Sequence, residues 1–362
     1  TTIVLSDILN NHALIFSGYV NGRITESQIL AAYLNQKNRL NWLTGISQDP
    51  YFFLEPSEIV VGPTPGENTL VTNIRRLVIR SAFGQAYYPF SRFSRVEGGL
   101  RIANVDDSRL SILEPFDPNT GFATREATLE ERNLDNVSYV QPSVALVHDN
   151  TIFGYTGPLL GRRSRFELAQ TVGGWTFTQG TADYRRYDHL FGPFTFATRA
   201  LYFGRIGPDA RQFQVFLGST DLLRGNTSGS YTRNECLNSN DSNTQTGCVE
   251  LDRLVGTQIA VASAELRFPL LNASLGFIPL GFPPIEGALF YDVGLAWNND
   301  SEIKFSRDPG DDPVNVRTPL QTIGASIRAN VLGIVILRLD WSNPLNRPGV
   351  GSLWTLSLGP TF

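Results

Sequence analysis

The 362 residues contain no methionine and only two cysteines, and the scarcity of sulfur already narrows the reading. Cys236 and Cys248 lie in one long polar stretch, with no CxxC and no Cys/His cluster around them. That excludes the usual metal frameworks, and no metal or other cofactor is expected. A local disulfide formed in an oxidising compartment is the natural reading, against two unpaired thiols in a loop. The absence of methionine has no physical account in the sequence. Charge is scarce too: 18% of residues are charged, the net charge is −4, and there is no Lys/Arg tract. A nucleic-acid partner is excluded on that ground. No apolar run approaches the roughly 18 residues of a membrane-spanning helix. A β-barrel escapes that test, because lipid-facing and lumen-facing residues alternate along each strand. No repeat in the solenoid or propeller range is visible. The chain opens at Thr1 without an initiator Met, a basic n-region or an apolar h-region. A signal peptide is therefore expected to have been removed or to lie upstream, and the strand-like Thr2–Leu5 implies a beginning in mid-protein.

Turn formers and aromatics are plentiful, with 33 Gly, 21 Pro, 23 Phe and 12 Tyr, which suits one large all-β unit better than two ordinary domains. The clearest segment is Gly287 to Trp297. Leu289, Tyr291, Val293, Leu295 and Trp297 form one face, while Ala288, Phe290, Asp292, Gly294 and Ala296 form the other, just after Glu286. A period of two makes it a strand. A soluble sandwich would turn the bulky face inward; a transmembrane barrel would turn it to lipid and point Asp292 into the lumen.

In chain order, strands are predicted at 2–6 and 12–20 around the turn Asp7–Asn11, and at 26–36 after the tight turn Asn21-Gly22. The next, 40–54, carries Trp42, Tyr51, Phe52 and Phe53, which suit an interfacial girdle. Between 55 and 90 the pattern changes. Pro56, Pro63 and Pro65 mark a linker, and Leu70, Ile74, Leu77 and Val78 recur at helical spacing with Arg75, Arg76 and Arg80 off that stripe. The spacing predicts a periplasmic insert with an amphipathic helix over about 69–82. Strands follow at 92–107, 137–149, 160–172, 175–187 and 194–205, with a polar connection between the first two. Residues 207–256, rich in Asn, Ser, Thr and Gly, form a connection whose length a compact domain accommodates only when it is functional. Five strands close the chain, at 258–269, 284–297, 319–330, 332–342 and 351–362. These amount to about 14 strands of an antiparallel transmembrane β-barrel, with short turns at one end and longer loops at the other. With Phe362 at a periplasmic end, 207–256 counts as extracellular and the 69–82 helix as periplasmic.

Leu223-Arg224-Gly225-Asn226 stands in the long connection, and Phe290-Tyr291-Asp292-Val293-Gly294 on the second strand after it. Ala264-Glu265-Leu266-Arg267-Phe268-Pro269-Leu270 lies between them, and Leu339-Asp340-Trp341-Ser342-Asn343-Pro344-Leu345-Asn346 follows. In this order they resemble the outer-membrane assembly and surface-antigen barrels, the BamA/TamA-type superfamily that also includes two-partner-secretion transporters. In that superfamily a long extracellular loop folds back into the lumen of a sixteen-stranded barrel. The Arg of its (Val/Ile)-Arg-Gly-(Phe/Tyr) tip pairs with the Asp of a Phe-x-Asp-x-Gly strand element. The resemblance implies a loop–lumen lock made by Arg224, Gly225 and Asp292, with Phe290 and Gly294 as the strand motif. Asn226 stands where the family has an aromatic, and the nearest substitute is Tyr231. Further upstream, Leu5-Ser6-Asp7, Tyr88-Pro89-Phe90-Ser91-Arg92, Val144–Asn150, Gly154–Pro158 and Asp183–Tyr187 are similar to a branch in which a TolB-like propeller precedes the barrel. This implies that the propeller and the first two strands lie before Thr1 or are missing.

The chemistry of such a lock is plain. An arginine fork on a carboxylate makes two charge-assisted hydrogen bonds of fixed geometry, and a glycine lets the backbone approach the wall. Alternation puts Glu265 and Arg267 on one face of their strand, so Glu265 is the natural second acid for Arg224. The competing reading leaves Arg224 solvated and pairs Asp292 with another lumen base. Catalysis finds little support. His12, His148 and His189 lie at or near strand ends, and Ser143 and His148, five apart, point to opposite faces. Asp308, Asp311 and Asp312 lack the spacing of a calcium loop. The expectation is a non-enzymatic barrel of the bacterial outer membrane, in contact with outer-membrane lipid and lipopolysaccharide. It would assist insertion or translocation of client polypeptides through a loop-locked lumen and a lateral seam at the terminal strands. Trp354 and Phe362 mark that seam, and Gly351, Gly359 and Pro360 weaken its ladder. The alternatives are a barrel that anchors a periplasmic propeller or assembly partner, and a passive pore.

Overall fold

The computed structural model describes residues 2–20, 24–54, 57–62, 66–236, 248–271, 285–306, 311–312, 315–331, 333, 335–347 and 349–359. Asn21-Gly22, Pro56, Pro63, Pro65, Asp308, Pro360 and Phe362 lie outside the described residues. Two compact units are distinguished: Thr1–Pro89 with Glu97–Val144 and Gln170–Thr176, and Phe90–Val96 with Ala145–Ala169 and Phe177–Phe362.

The first unit opens with β1 (Thr2–Ser6), β2 (His12–Tyr19), β3 (Gln28–Asn35) and β4 (Asn41–Leu54), an antiparallel meander. A four-residue β5 (Glu58–Val61) and a long β6 (Asn68–Pro89) follow. β4 pairs with β6 from Asn41↔Tyr87 to Leu54↔Ile74, and β5 pairs with β6 from Glu58↔Val71 to Val61↔Asn68. The helix expected over 69–82 is therefore replaced by strand. Thr69, Val71, Thr72, Ile74, Val78 and Ile79 are β-branched, and such side chains lose rotamer freedom in a helix but pack well on a pleated surface. Four apolar residues at helical spacing were a weaker signal than that propensity. The arginines show the pleat. Arg75 bonds Asp107 at 2.7 Å, while its neighbour Arg76 bonds Glu26 at 2.9 Å and also meets Glu131.

β7 (Ser94–Phe116) and β8 (Thr128–Asp149) are likewise longer than expected, and strand occupies most of the predicted polar connection. β6, β7 and β8 have 22, 23 and 22 residues. At about 3.4 Å per residue each is roughly 75 Å long, where about 9–11 residues cross a bilayer.

The second unit takes in parts of β7 to β9 (Pro158–Gly173) and then β10 (Phe177–His189), β11 (Thr195–Ile206), β12 (Gln258–Leu271), β13 (Ile285–Trp297), β14 (Leu320–Val331), β15 (Val335–Pro344) and β16 (Leu353–Leu358). From β10 onward each strand pairs antiparallel with the next. Sixteen strands of four or more residues are thus described, against the 14 expected. Burial alternates with period two, and its sense is inverted relative to a soluble protein. On β13, Leu289 is 53% and Tyr291 41% exposed, while Phe290 is 5% and Asp292 1% exposed. Glu265, Arg267, Arg328, Arg338 and Asp340 are buried, whereas Trp354, Leu356 and Leu358 face outward. Charge inside and Leu/Trp outside is the pattern of a wall set in lipid.

The connection from β11 to β12 turns back onto the polar face. It is pinned by a two-residue ladder, Val215–Phe216 with Val255–Gly256, and carries two one-turn helices, α1 (Arg233–Cys236) and α2 (Val249–Asp252). The expected disulfide Cys236–Cys248 is formed between them. Leu217, Leu223 and Leu254 pack with Ile259 and Val261 of β12, Ala296 of β13 and Leu320 of β14.

Leu77 is 1% exposed and Val61 81% exposed. Leu77→Ala is expected to cost about 2–5 kcal/mol, measured by urea unfolding of the chain folded in detergent micelles. Val61→Ala is expected to stay within about 0.5 kcal/mol. Equal effects would mean that the β6 core is misplaced.

Candidate functional site

The tip of the long connection brings the predicted residues together. Leu217, Leu223 and Leu254 are fully buried, so the connection reaches the strands as an apolar plug with Arg224 next in line. Gly225 follows at φ +75°, a left-handed conformation natural to glycine, and a Cβ there would lie 2.9 Å from the Ser342 hydroxyl oxygen. Gly294 makes room in the same way, since a Cβ on it would lie 3.0 Å from Leu217 and 3.1 Å from Leu223. A Cβ on Gly324 would run into the Phe290 ring. The two glycines let a flat aromatic and two leucines reach the wall.

Arg224 Nε donates to Asp292 Oδ2 at 2.6 Å and Nη2 donates to Oδ1 at 2.7 Å, a bidentate fork. Its third nitrogen, Nη1, donates to Glu265 Oε1 at 2.6 Å. The guanidinium lies 3.5 Å above the centre of the Phe290 ring, so its face is covered as well as its edges. Burial opposes the charge on Arg224, but Asp292 and Glu265 outweigh it and hold the guanidinium more firmly protonated than usual.

Glu265 is shared. Besides Arg224 it accepts from Arg328 Nη2 at 2.7 and 2.8 Å and from Arg267 Nε at 2.8 Å. Arg328 also reaches Glu286 at 3.4 Å. Three cations and three carboxylates therefore form one neutral buried cluster. A second pair lies on β15. Arg338 Nε donates to Asp340 Oδ2 at 2.9 Å, and Arg338 Nη2 donates to the loop carbonyl of Thr220 at 3.0 Å.

Asn226 donates from Nδ2 to Thr322 Oγ1 at 3.0 Å, pinning the loop to β14. Tyr231 donates to Asn226 Oδ1 at 3.4 Å and stacks on Arg347, whose guanidinium is 3.8 Å from the ring centre. Arg347 donates to the Gly225 carbonyl at 2.8 Å and bonds both oxygens of Glu235 at 3.0 Å. Burial works against ionisation of Glu235, but bonds from the Thr232 amide, Arg347 and the Thr232 hydroxyl outweigh it and hold the carboxyl below its ordinary range.

Among the other predicted residues, Trp354 is 66% exposed on the outward face of β16. His148 Nδ1 is 2.8 Å from the Ser94 hydroxyl and His148 Nε2 accepts from Arg162, while His12 is 2.7 Å from the Tyr33 hydroxyl. Among the described residues no cluster suited to a metal occurs.

Arg328, Arg338 and Arg347 were not singled out in the sequence. A signal for the first two existed. Each is an isolated charge between outward apolar neighbours, Ile327 beside Arg328 and Leu337 and Leu339 beside Arg338. Period two places such a charge in the interior.

A family model described as the Omp85 superfamily domain matches residues 124–362. The chain belongs to the Omp85 superfamily. Among curated proteins, no sequence matches significantly. Solved structures do. CdiB from Acinetobacter baumannii is 12% identical with a TM-score of 0.54, over 99% of this chain and 55% of that one. BamA from Haemophilus ducreyi lacking POTRA domains 1–3 is 12% identical with a TM-score of 0.47, over 96% of this chain and 70% of that one. CdiB from Escherichia coli is 10% identical with a TM-score of 0.40, over 96% and 62%. The chain thus spans little more than half of the A. baumannii protein. The family and the CdiB likeness make this an all-β barrel fold of the outer-membrane type, and its long loop packs on the polar face of the strands. The presence of the upstream propeller branch has no support from these matches.

Removing one member of a buried ion pair costs about 3–5 kcal/mol, because the partner is left uncompensated. Arg224→Ala and Asp292→Ala are each expected to lower stability on that scale, with a double mutant far less unstable than the sum. Urea midpoints of the four proteins test this, and additive losses would mean that the two side chains do not share a bond. Glu235 has a folded-state pKa below its unfolded value. It therefore stabilises the docked loop above the unfolded value of about 4.3, and loses that contribution as pH falls through the folded one. Glu235→Gln is expected to flatten the acid limb of a stability–pH curve and leave the neutral limb parallel.

Proposed function

We propose that this Omp85 barrel assists insertion of outer-membrane proteins or translocation of polypeptide, working beside its last strand while the loop tip holds the lumen. The observation that carries the reading is the Arg224 fork on Asp292 and Glu265. It fixes a long loop inside the wall by contacts that exclude water, so the lumen is occupied and traffic is directed to the strand edge. β16 supports this. It is six residues long, pairs with β15 only over Leu337–Ser342, and exposes Trp354, Leu356 and Leu358 at 66, 70 and 71%. An edge strand paired over six residues among those described is a ready template for an incoming strand. The partners in this reading are client polypeptides, outer-membrane lipid and lipopolysaccharide, and no catalytic step is involved.

A second reading is an anchor for a periplasmic propeller or assembly partner. Exposed Ile152, Phe153, Leu190 and Phe191, all on turns of the second unit, favour it.

The chain reconstituted in liposomes is expected to speed folding of a denatured client barrel several-fold over empty liposomes, followed by the heat-dependent mobility of the client. Arg224→Ala is expected to reduce that gain. No acceleration would leave the anchor as the better account.

A further inference from the structure

Two segments enter the polar face of the second unit, from opposite ends of its strands. The long connection enters at the end where β11 stops and β12 starts. From the other end comes the turn at 150–157, between β8 and β9. It begins as a small ladder, Ile152–Phe153 against Pro158 and Leu160, and then runs inward, because Thr156 is 4% exposed although Tyr155 beside it is 72% exposed. Its two tethers are polar and come from distant strands. Asn330 Nδ2 of β14 donates to the Tyr155 carbonyl at 2.5 Å, and Arg267 Nη1 of β12 donates to the Pro158 carbonyl at 3.1 Å.

Both tethers stand one alternation step from the Glu265 cluster. Arg267 is two residues after Glu265 and binds it with its remaining nitrogens. Asn330 is two residues after Arg328, which binds Glu265 through Nη2. The loop tip uses the same carboxylate through Arg224. Glu265 has two oxygens, and three arginines on three different elements divide them. Withdrawal of Arg224 leaves the cluster with one cation fewer: Glu265 keeps Arg267 and Arg328, while Asp292 loses the fork that holds it. A shift of Arg267 toward the place left by Arg224 would release the Pro158 carbonyl. A cavity of 360 Å³ beside the turn, lined in part by Tyr155, Thr156, His189 and Glu286, gives the turn room to shift.

We propose that Glu265 couples the loop tip to the 150–157 turn, so that undocking of Arg224 at one end loosens the turn at the other. Resting on the functional reading above, this gives the barrel a two-ended latch: a client that displaces the loop would also open the opposite mouth. The coupling runs through one shared anion between two segments that do not touch each other in sequence, and its energy is reciprocal.

Thiol labelling of the full chain in lipid vesicles tests it. The native cysteines are already joined to each other, so one introduced thiol reports alone. In Thr156→Cys protein, adding Arg224→Ala is expected to raise the maleimide labelling rate at position 156 at least tenfold. Asn330→Ala, which cuts a tether directly, serves as the reference for a released turn. In Leu223→Cys protein, Asn330→Ala is expected to raise labelling at the loop tip in turn. This arm leaves every buried charge intact and so remains decisive should Arg224→Ala fail to fold. Position 156 staying within twofold of its parent rate in Arg224→Ala, while Asn330→Ala releases it, overturns the coupling. So does a loop tip that ignores Asn330→Ala. Labelling requires no client. Coupled labelling without client folding would overturn the function and keep the latch, and client folding without coupled labelling would do the reverse.

Discussion

The interior of the second unit depends on one constraint, the neutralisation of Glu265. A carboxylate with no water around it is costly unless every lone pair finds a donor, and an isolated one would take up a proton instead. Here three guanidinium groups meet it from the loop, from its own strand and from β14. Each of those arginines needs a further acceptor, which Asp292, the Pro158 carbonyl and Glu286 supply. The loop tip, two strands and a turn therefore meet through the groups that satisfy one side chain. The glycines around it follow from the same demand, since the wall must be thin where the loop comes close.

The barrel wall was readable in the sequence because its signal is local. Alternation over Gly287–Trp297 reports the two faces directly, and Asp292 stands out as an acid among small residues. The pairing of Arg224 with Asp292, 68 positions away, could be named only through family resemblance, and alternation then marked Glu265, 41 positions away, as the second acid. Alternation could place Arg328 inside the wall but could not name its partner, because register brings it to Glu265, and register is a property of pairs of strands that no single segment displays. Arg347 lies beyond β15, where no alternation marks it, and it meets the loop through the Gly225 carbonyl and Glu235. The expected helix over 69–82 failed differently. Four apolar residues fit two periods at once, and the branched side chains between them, a propensity rather than a pattern, decided for strand.

Asn226 shows how a position can change its residue type without the structure losing its contact. The family pattern asks for an aromatic after Arg-Gly. In this chain the amide fixes the loop to Thr322 by a hydrogen bond, and two other rings share the aromatic task. Phe290 covers Arg224 from the wall side, and Tyr231 covers Arg347, which holds the Gly225 carbonyl. The loop tip is therefore bracketed by two arginine–aromatic stacks, one on the strand and one within the connection, instead of carrying its own aromatic.

The joined cysteines have a chemical consequence together with the missing methionines. Oxidants act on proteins chiefly through thiols and thioethers, converting them stepwise to sulfenic and sulfinic acids or to sulfoxides. These 362 residues offer neither, for the sole sulfur atoms are already bound to each other. Peroxide would find no free thiol and no thioether among them. The packing of this stretch is therefore exempt from the sulfoxide damage that swells a methionine-filled core.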